Sequence, residues 1–302
     1  MPNAAASPRH APAQAGLSAW AGRYDAVFCD VWGVVHDGCD AHPAAADALR
    51  RFRDGGGAVV LITNAPRPAA PIRAMLDRMG VPRAAYDAIV SSGDVTVEEI
   101  IRRGPAPVHH LGPARDLGLF TEAAARSGVE PRRVDVAEAD YVVCTGLFDD
   151  REHVDSYIPL LRAIAARGLP LICANPDRVV HVGADLVWCA GALAERYEAM
   201  GGAATWIGKP HPLIYDAARR AAERALGRPV APARTLAIGD GIGTDIMGAQ
   251  RFGCDSILIT SGIHRDRLHG ADGGWRVEPA SYAALVREAG ATPTTHMPAL
   301  LW

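Results

Sequence analysis

Short apolar runs alternate along the chain with amphipathic segments of roughly 10 to 17 residues, the pattern of a mainly parallel sheet covered by helices. Six runs read as core strands: Ala26–Asp30, Ala58–Thr63, Ala88–Ser91, Thr205–Gly208, Thr235–Asp240 and Ser256–Thr260. The helices carry legible punctuation. Pro43 suits a first helical position, and Gly55-Gly56-Gly57 stops the helix that follows it. Pro212 opens the segment that Gly227 closes, and Ser91-Ser92-Gly93-Asp94 reads as another helix start. The fold class this predicts is α/β, with a doubly wound core.

From about Pro105 to Ala204 a second α/β pattern intervenes, with strands at Val108–Leu111, Tyr141–Thr145 and Pro170–Ala174 and a long helix near His153–Arg167. It is too long for a crossover connection and reads as an inserted domain. The core is then discontinuous, 20–104 plus 205–302, with the insertion at 105–204. A chain of 302 residues with 49% hydrophobic content can supply a core to each. Residues 1–19 read as a disordered lead-in: the first fifteen, rich in Ala and Pro, lack the apolar stretch of a signal peptide.

A formal net charge of −3 leaves no basic footprint for nucleic acid or an anionic membrane surface, and no run approaches the ~18 apolar residues of a span. The expected partners are small molecules or a second copy of the chain. The six cysteines are dispersed without CxxC spacing, which fits buried thiols and a reduced, cytoplasmic setting.

Four expected core strands end in polar residues at their carboxyl ends, where open parallel sheets bind ligands: Asp30, Thr63-Asn64, Gly208-Lys209 and Gly239-Asp240. Lys209 is the sole lysine of the chain. An Asp after one strand is usually a turn former. Four such endings in this order are hard to ascribe to turns alone. The segment from Gly239 to Thr244 does not have the spacing of a dinucleotide loop, and its acidic residues would repel a pyrophosphate.

These segments, Asp30-Val31-Trp32-Gly33, Leu61-Ile62-Thr63-Asn64, Gly208-Lys209-Pro210 and Ile238-Gly239-Asp240 through Thr244-Asp245, resemble the four motifs of the haloacid dehalogenase (HAD) superfamily. Their forms, and the large insertion before the third, resemble class IIA, the group of NagD-like, 4-nitrophenylphosphatase-like and pyridoxal phosphate phosphatase-like proteins. The resemblance implies a Rossmann-like core, an α/β cap domain at 105–204, and a Mg²⁺-dependent phosphomonoester phosphatase acting on a small phosphorylated metabolite. By the same resemblance Asp30 is the nucleophile. Asp30, the main-chain carbonyl of Trp32, Asp240 and Asp245 hold Mg²⁺, an all-oxygen set suited to a hard cation. Thr63 and Asn64 donate to the phosphoryl oxygens, and Lys209 places positive charge there. Asn175-Pro176-Asp177 resembles a recurring segment of such caps, so that Asn175, Asp177 and His181 are expected at the substrate; a hydrogen-bonded loop is the alternative. The cap also implies a homodimer.

One position departs from the family pattern. Most HAD phosphatases carry a second aspartate two residues after the nucleophile, as acid and base; here that residue is Trp32, and indole can do neither job. Either His36 or Asp37 replaces it, or the leaving group departs unprotonated, or the reaction is not phosphomonoester hydrolysis. A binding protein with little turnover is the reading from a different class. His109 and His110, adjacent on an expected strand, face opposite ways and read as structural rather than metal-binding.

Overall fold

A computed structural model describes residues 16–182, 185–269 and 276–302. Among them lie twelve strands: β1 Ala26–Asp30, β2 Ala58–Thr63, β3 Ala88–Ser91, β4 Val108–Leu111, β5 Tyr141–Cys144, β6 Leu171–Cys173, β7 Val179–Val182, β8 Asp185–Trp188, β9 Ala204–Trp206, β10 Thr235–Gly239, β11 Asp255–Ile259 and β12 Thr295–Met297. The chain divides into two compact units. One holds the described chain up to Leu61 with Met79–Ala88 and Ala218–Trp302; the other holds Ile62–Arg78 and Ile89–Ala217.

The larger sheet has the order β12-β11-β10-β1-β2-β3. Within the first unit β1, β10, β11 and β12 run parallel, with Ala26 opposite Thr235 and Cys29 opposite Ile238. Every residue of β1 and of β10 is buried, as expected of central strands covered on both faces. Strand order reverses at the β1–β10 pair, which makes their carboxyl ends the topological switch point of the sheet. The register puts Asp30 and Asp240 side by side just past that pair. On one side of the sheet Ile242, Ile246, Leu258, Leu268 and Leu285 close a local apolar cluster. Pro43 opens the helix Pro43–Asp54 as expected. Leu17 and Trp20 are packed, with Leu17 N–H donating to Leu301 O at 2.7 Å, so order begins inside the expected lead-in; residues 1–15 of that lead-in lie outside the described residues.

The second unit is built on the parallel sheet β4-β5-β6-β9 and the antiparallel hairpin β7–β8. Val142, Leu161, Ile164, Leu193 and Tyr197 belong to its core cluster. The expected long helix appears as a 3₁₀ turn, Val154–Tyr157, leading into the helix Ile158–Ala166. The start at Ser91 is a full capping box: Ser91 Oγ accepts from Asp94 N–H at 2.9 Å while Asp94 Oδ2 accepts from Ser91 N–H at 3.2 Å.

One strand assignment changes. The run expected at Thr205–Gly208 as part of the core appears as β9, which pairs with β6 in the smaller sheet, Leu171 opposite Ala204 and Cys173 opposite Trp206. All three of its residues are half-buried, the burial of an edge strand, whereas the central core strands β1 and β10 are buried throughout. A three-residue run carries no sign of which sheet it joins. Strands β7, β8 and β12 were not anticipated.

Candidate active site

The site is assembled from the carboxyl ends of β1 and β10. Asp30 ends β1, is 7% exposed, and accepts a hydrogen bond from Val31 N–H at 2.7 Å. Asp240 follows β10, is buried, and accepts from Ile263 N–H at 2.8 Å. Asp245 lies in the helical turn Ile242–Ile246, where its Oδ2 accepts from Gly241 N–H and Thr244 Oγ1, each at 3.2 Å. It is not the N-cap of the helix Met247–Phe252. One carboxylate oxygen from each of the three lies within 4.8 Å of the others, and among the described residues no other group of His, Cys, Asp or Glu meets that criterion.

Three buried carboxylates at this spacing repel unless a cation is shared or protons are taken up. An all-oxygen donor set suits Mg²⁺ or a similar hard cation. Close approach is secured by glycines. A Cβ at Gly33 or Gly262 would lie 2.0 or 2.1 Å from Asp240 Oδ2, and one at Gly239 would lie 2.0 Å from the Asp245 carboxyl carbon. Gly33 and Gly239 stand within the sequence motifs, though nothing there marks these contacts, and Gly262 lies outside them. Gly33 also has φ +77°, a conformation that favours glycine.

The loop after β1 is tightly tied. Gly33 N–H donates to His36 O at 2.7 Å, and Val35 N–H to Val31 O at 2.9 Å. His36 is buried and its Nδ1 accepts from Gly38 N–H at 2.9 Å; burial pushes its imidazole below the usual range, with Asp37 opposing and His42 adding to the shift. Asp37 is exposed, and its Oδ1 accepts from Cys39 and Asp40 N–H, which hold its carboxyl below the usual range. Trp32 alone in the stretch 31–36 is exposed, at 40%.

In the second unit the residues past β2 and β9 meet. Asn64 is buried; its Oδ1 accepts from Lys209 N–H at 2.6 Å, and its Nδ2 donates to Lys209 O at 3.1 Å and to Asp177 Oδ1 at 2.9 Å. An amide nitrogen has two protons, and both are engaged. Asn64 therefore grips both main-chain groups of the sole lysine and ties them to Asp177. Asn175 is buried and accepts from Asp177 N–H at 3.0 Å. Gly208, at φ +121°, leaves no room for a side chain: a Cβ would lie 2.4 Å from Ser92 Oγ, 2.5 Å from Pro176 Cδ and 2.7 Å from Asn64 Oδ1. Thr63 Oγ1 accepts from Ala65 N–H at 3.3 Å. His181 lies in β7, opposite Leu186; its side chain falls outside the described residues. The expected histidine pair takes separate partners, His109 Nδ1 on Val134 O and His110 Nε2 on Thr145 Oγ1, both at 3.0 Å.

Two family models match the chain. One, described as haloacid dehalogenase-like hydrolase, covers residues 27–126; the other, HAD-hydrolase-like, covers residues 206–289. A solved hydrolase of the haloacid dehalogenase-like family from Brucella suis 1330 is 41% identical over 95% of this chain and 99% of that one, with a TM-score of 0.79. The chain belongs to the haloacid dehalogenase-like hydrolase family. As a member it is a hydrolase on an α/β core. Human chronophin is 29% identical over 256 residues, 81% of this chain and 83% of chronophin. The ribonucleotide monophosphatase NagD of Escherichia coli K12 is 28% identical over 244 residues, 78% of this chain and 88% of NagD. Both are class IIA members of the family, the class whose motif forms this chain carries. A p-nitrophenyl phosphatase from Archaeoglobus fulgidus, 20% identical over 92% of this chain and 97% of that one, shares the fold at a TM-score of 0.70.

Proposed function

We propose that this chain is a Mg²⁺-dependent phosphatase that releases phosphate from a small phosphorylated metabolite through an aspartyl-phosphate on Asp30. The observation that carries the reading is the buried cluster Asp30–Asp240–Asp245 at the switch point of the sheet. Asp30, Asp240, Asp245 and the Trp32 carbonyl would hold the cation, which when bound offsets the charge of a phosphate dianion. A carboxylate oxygen of Asp30 attacks phosphorus, and the bond to the ester oxygen breaks. In the roles the motifs assign, Lys209 and Thr63 neutralise and bind the phosphoryl oxygens. Asn64 acts on that group through the position of Lys209, since its side-chain protons are already engaged. Residues 105–204 act as the cap, with Asn175, Asp177 and His181 as its specificity contacts, and the protein works in the cytoplasm as a homodimer formed through the cap. Among the described residues no helix is long and apolar enough to cross a membrane.

The name of the relative NagD, a ribonucleotide monophosphatase, supports the reaction class. Trp32 and the self-contained turn of Asp37 favour a second reading, a metal-dependent binder of phosphometabolites with little turnover. One experiment separates the two: a panel of phosphorylated metabolites with Mg²⁺, scored for phosphate release by the wild type and by Asp30→Asn. Release that depends on Asp30 and stops on chelation is expected; affinity without release under single-turnover conditions would leave the binder.

A further inference from the structure

Strands β4, β5, β6 and β9 run parallel, so the segments that follow them gather at one end of the smaller sheet. Lys209 stands past β9, Asn175 past β6, Thr145 directly past β5, and Asp116 in a turn past β4. Asp116 is 3% exposed; the Thr145 hydroxyl hydrogen-bonds its carboxylate, and Arg67 Nε donates to its Oδ1 at 3.4 Å. That contact holds the Arg67 guanidinium at the same end of the sheet as Lys209. Burial pushes the Asp116 carboxyl up, and the charge of Arg67 is the largest of the effects that oppose it. The neighbouring cation Arg115 is already engaged, with both Nη atoms donating to the two oxygens of Asp150. Arg67 is open: Asp116 takes the N–H on Nε, and among the described residues nothing else meets the four on Nη1 and Nη2, while its side chain is 47% exposed.

A long arginine on a soft loop is an ordinary solvated charge. This loop is not soft. Arg67 stands between Pro66 and Pro68, which restrict its backbone from both sides. Its carbonyl accepts from Ser91 Oγ at 2.6 Å, Ala65 O accepts from Gly93 N–H at 3.1 Å, and Ala69 N–H donates to Asp94 Oδ1 at 3.2 Å. Gly93 packs so closely that a Cβ there would lie 2.3 Å from the Arg67 carbonyl carbon. Three residues before Arg67, at most about 11 Å along the backbone, Asn64 grips Lys209. One fixed segment thus supports two cations, the lysine assigned to phosphate and an arginine with a whole edge open. The planar Nη1–Nη2 fork fits two oxygens of one anion, and a fork already held in place loses little freedom on binding. We propose that Arg67 anchors a second anionic group of the substrate, so that the favoured substrates are phosphate monoesters carrying a carboxylate or a further phosphate, an inference that rests on the phosphatase reading above.

The test uses two matched pairs, each differing by one anion. 3-Phosphoglycerate against glycerol 3-phosphate exchanges a carboxylate for a hydroxymethyl group. Mannitol 1,6-bisphosphate against mannitol 1-phosphate adds a phosphate, its rate halved for the two equivalent esters. kcat/KM is measured with Mg²⁺ for wild type, for Arg67→Gln, and for Arg67→Met combined with Asp116→Asn. The double change removes both charges, and so leaves no lone buried carboxylate should Arg67→Gln not fold. The wild type is expected to favour the anionic member of at least one pair by roughly 10- to 100-fold, the gain of charge-assisted hydrogen bonds, and the pair that shows it identifies the anion. Both variants should lose that preference, falling far more on the anionic member than on its partner. No preference in the wild type, or one that survives the loss of Arg67, overturns the anchor. Should the wild type hydrolyse neither these esters nor any member of the metabolite panel, the phosphatase reading fails by itself. The anchor is then decided by calorimetry: 3-phosphonopropionate binding more tightly than propylphosphonate in wild type but not in the variants supports it, and equal or absent binding overturns it.

Discussion

Replacing Asn64 with aspartate changes one heavy atom and removes the two protons that Nδ2 donates. The new carboxylate can still accept from Lys209 N–H, but it places an oxygen where Nδ2 now donates to Lys209 O and, at 2.9 Å, to the Asp177 carboxylate. At pH 7 the pair must either stay ionised face to face or take up a proton. Two like charges about 3 Å apart repel by about 5–6 kcal/mol at an effective dielectric near 20. Keeping one carboxyl protonated at pH 7 costs about 4 kcal/mol, three pKa units at about 1.36 kcal/mol each. The less costly route sets the outcome, and with about 1–2 kcal/mol for the altered hydrogen bonds Asn64→Asp should lower the unfolding free energy by about 5–6 kcal/mol at pH 7. The folded-state pKa of the new group is raised above its unfolded value, so the folded state binds the extra proton and stability falls as pH rises from about 4. Near pH 4 the deficit should shrink to about 1–2 kcal/mol, the value of the altered hydrogen bonds. Asn64→Ala is the control: it strands buried groups of Lys209 for about 2–4 kcal/mol with little dependence on pH. Urea unfolding followed by circular dichroism from pH 4 to 8 measures all three proteins. An Asn64→Asp protein within 1 kcal/mol of wild type at pH 7, or a deficit that is flat with pH, would refute the reasoning.

Gly33→Ala should weaken Mg²⁺ activation about 10- to 100-fold in a metal titration, because a Cβ 2.0 Å from Asp240 Oδ2 must displace that carboxylate; an unchanged metal requirement counts against the cluster as a cation site. Lys209→Glu should weaken inorganic phosphate binding far more than Arg151→Glu, a change at an exposed side chain, and equal losses by calorimetry would remove Lys209 from phosphate recognition. Burial, with His109 and Arg133 adding, lowers the His110 pKa to about 4, so the unfolded chain takes up the proton first and stability is lost as pH falls from about 6.5 to 4, by up to about 3 kcal/mol. His110→Gln should flatten that part of the stability profile, and a profile parallel to wild type would exclude the residue as its source.

The strands Ala26–Asp30, Ala58–Thr63 and Ala88–Ser91 were legible residue for residue, because a strand buried on both faces must be a continuous apolar run with a polar stop. The same logic put Asp30 and Asp240 at one end of the sheet, as parallel strands deliver their ends to one place, whereas Asp245, beyond any strand end, joined them only through the resemblance to the family motif. The edge strand Ala204–Trp206 was assigned to the wrong sheet because a short, half-buried run fits either. The grip of Asn64 on Lys209 was illegible for another reason: the partners are 145 positions apart, and nothing in either segment encodes the side-chain geometry that joins them. The glycine contacts on Asp240 share that cause, since Gly262 enters from the end of β11.

The pairing of β1 with β10 also sets the order in which this chain can be finished on the ribosome. Ala26 has to wait for Thr235, about 200 residues later, before its central neighbour exists. At about 5–20 residues per second that is an interval of roughly 10–40 s, during which a strand apolar up to its final Asp30 is out of the tunnel without one of its two neighbours. The smaller sheet has no such delay, since β4, β5, β6 and β9 lie side by side in the order of their synthesis. Nascent chains should therefore carry a finished smaller sheet while the strand bearing Asp30 is still a client for chaperones, and catalytic competence should be the last property the chain acquires.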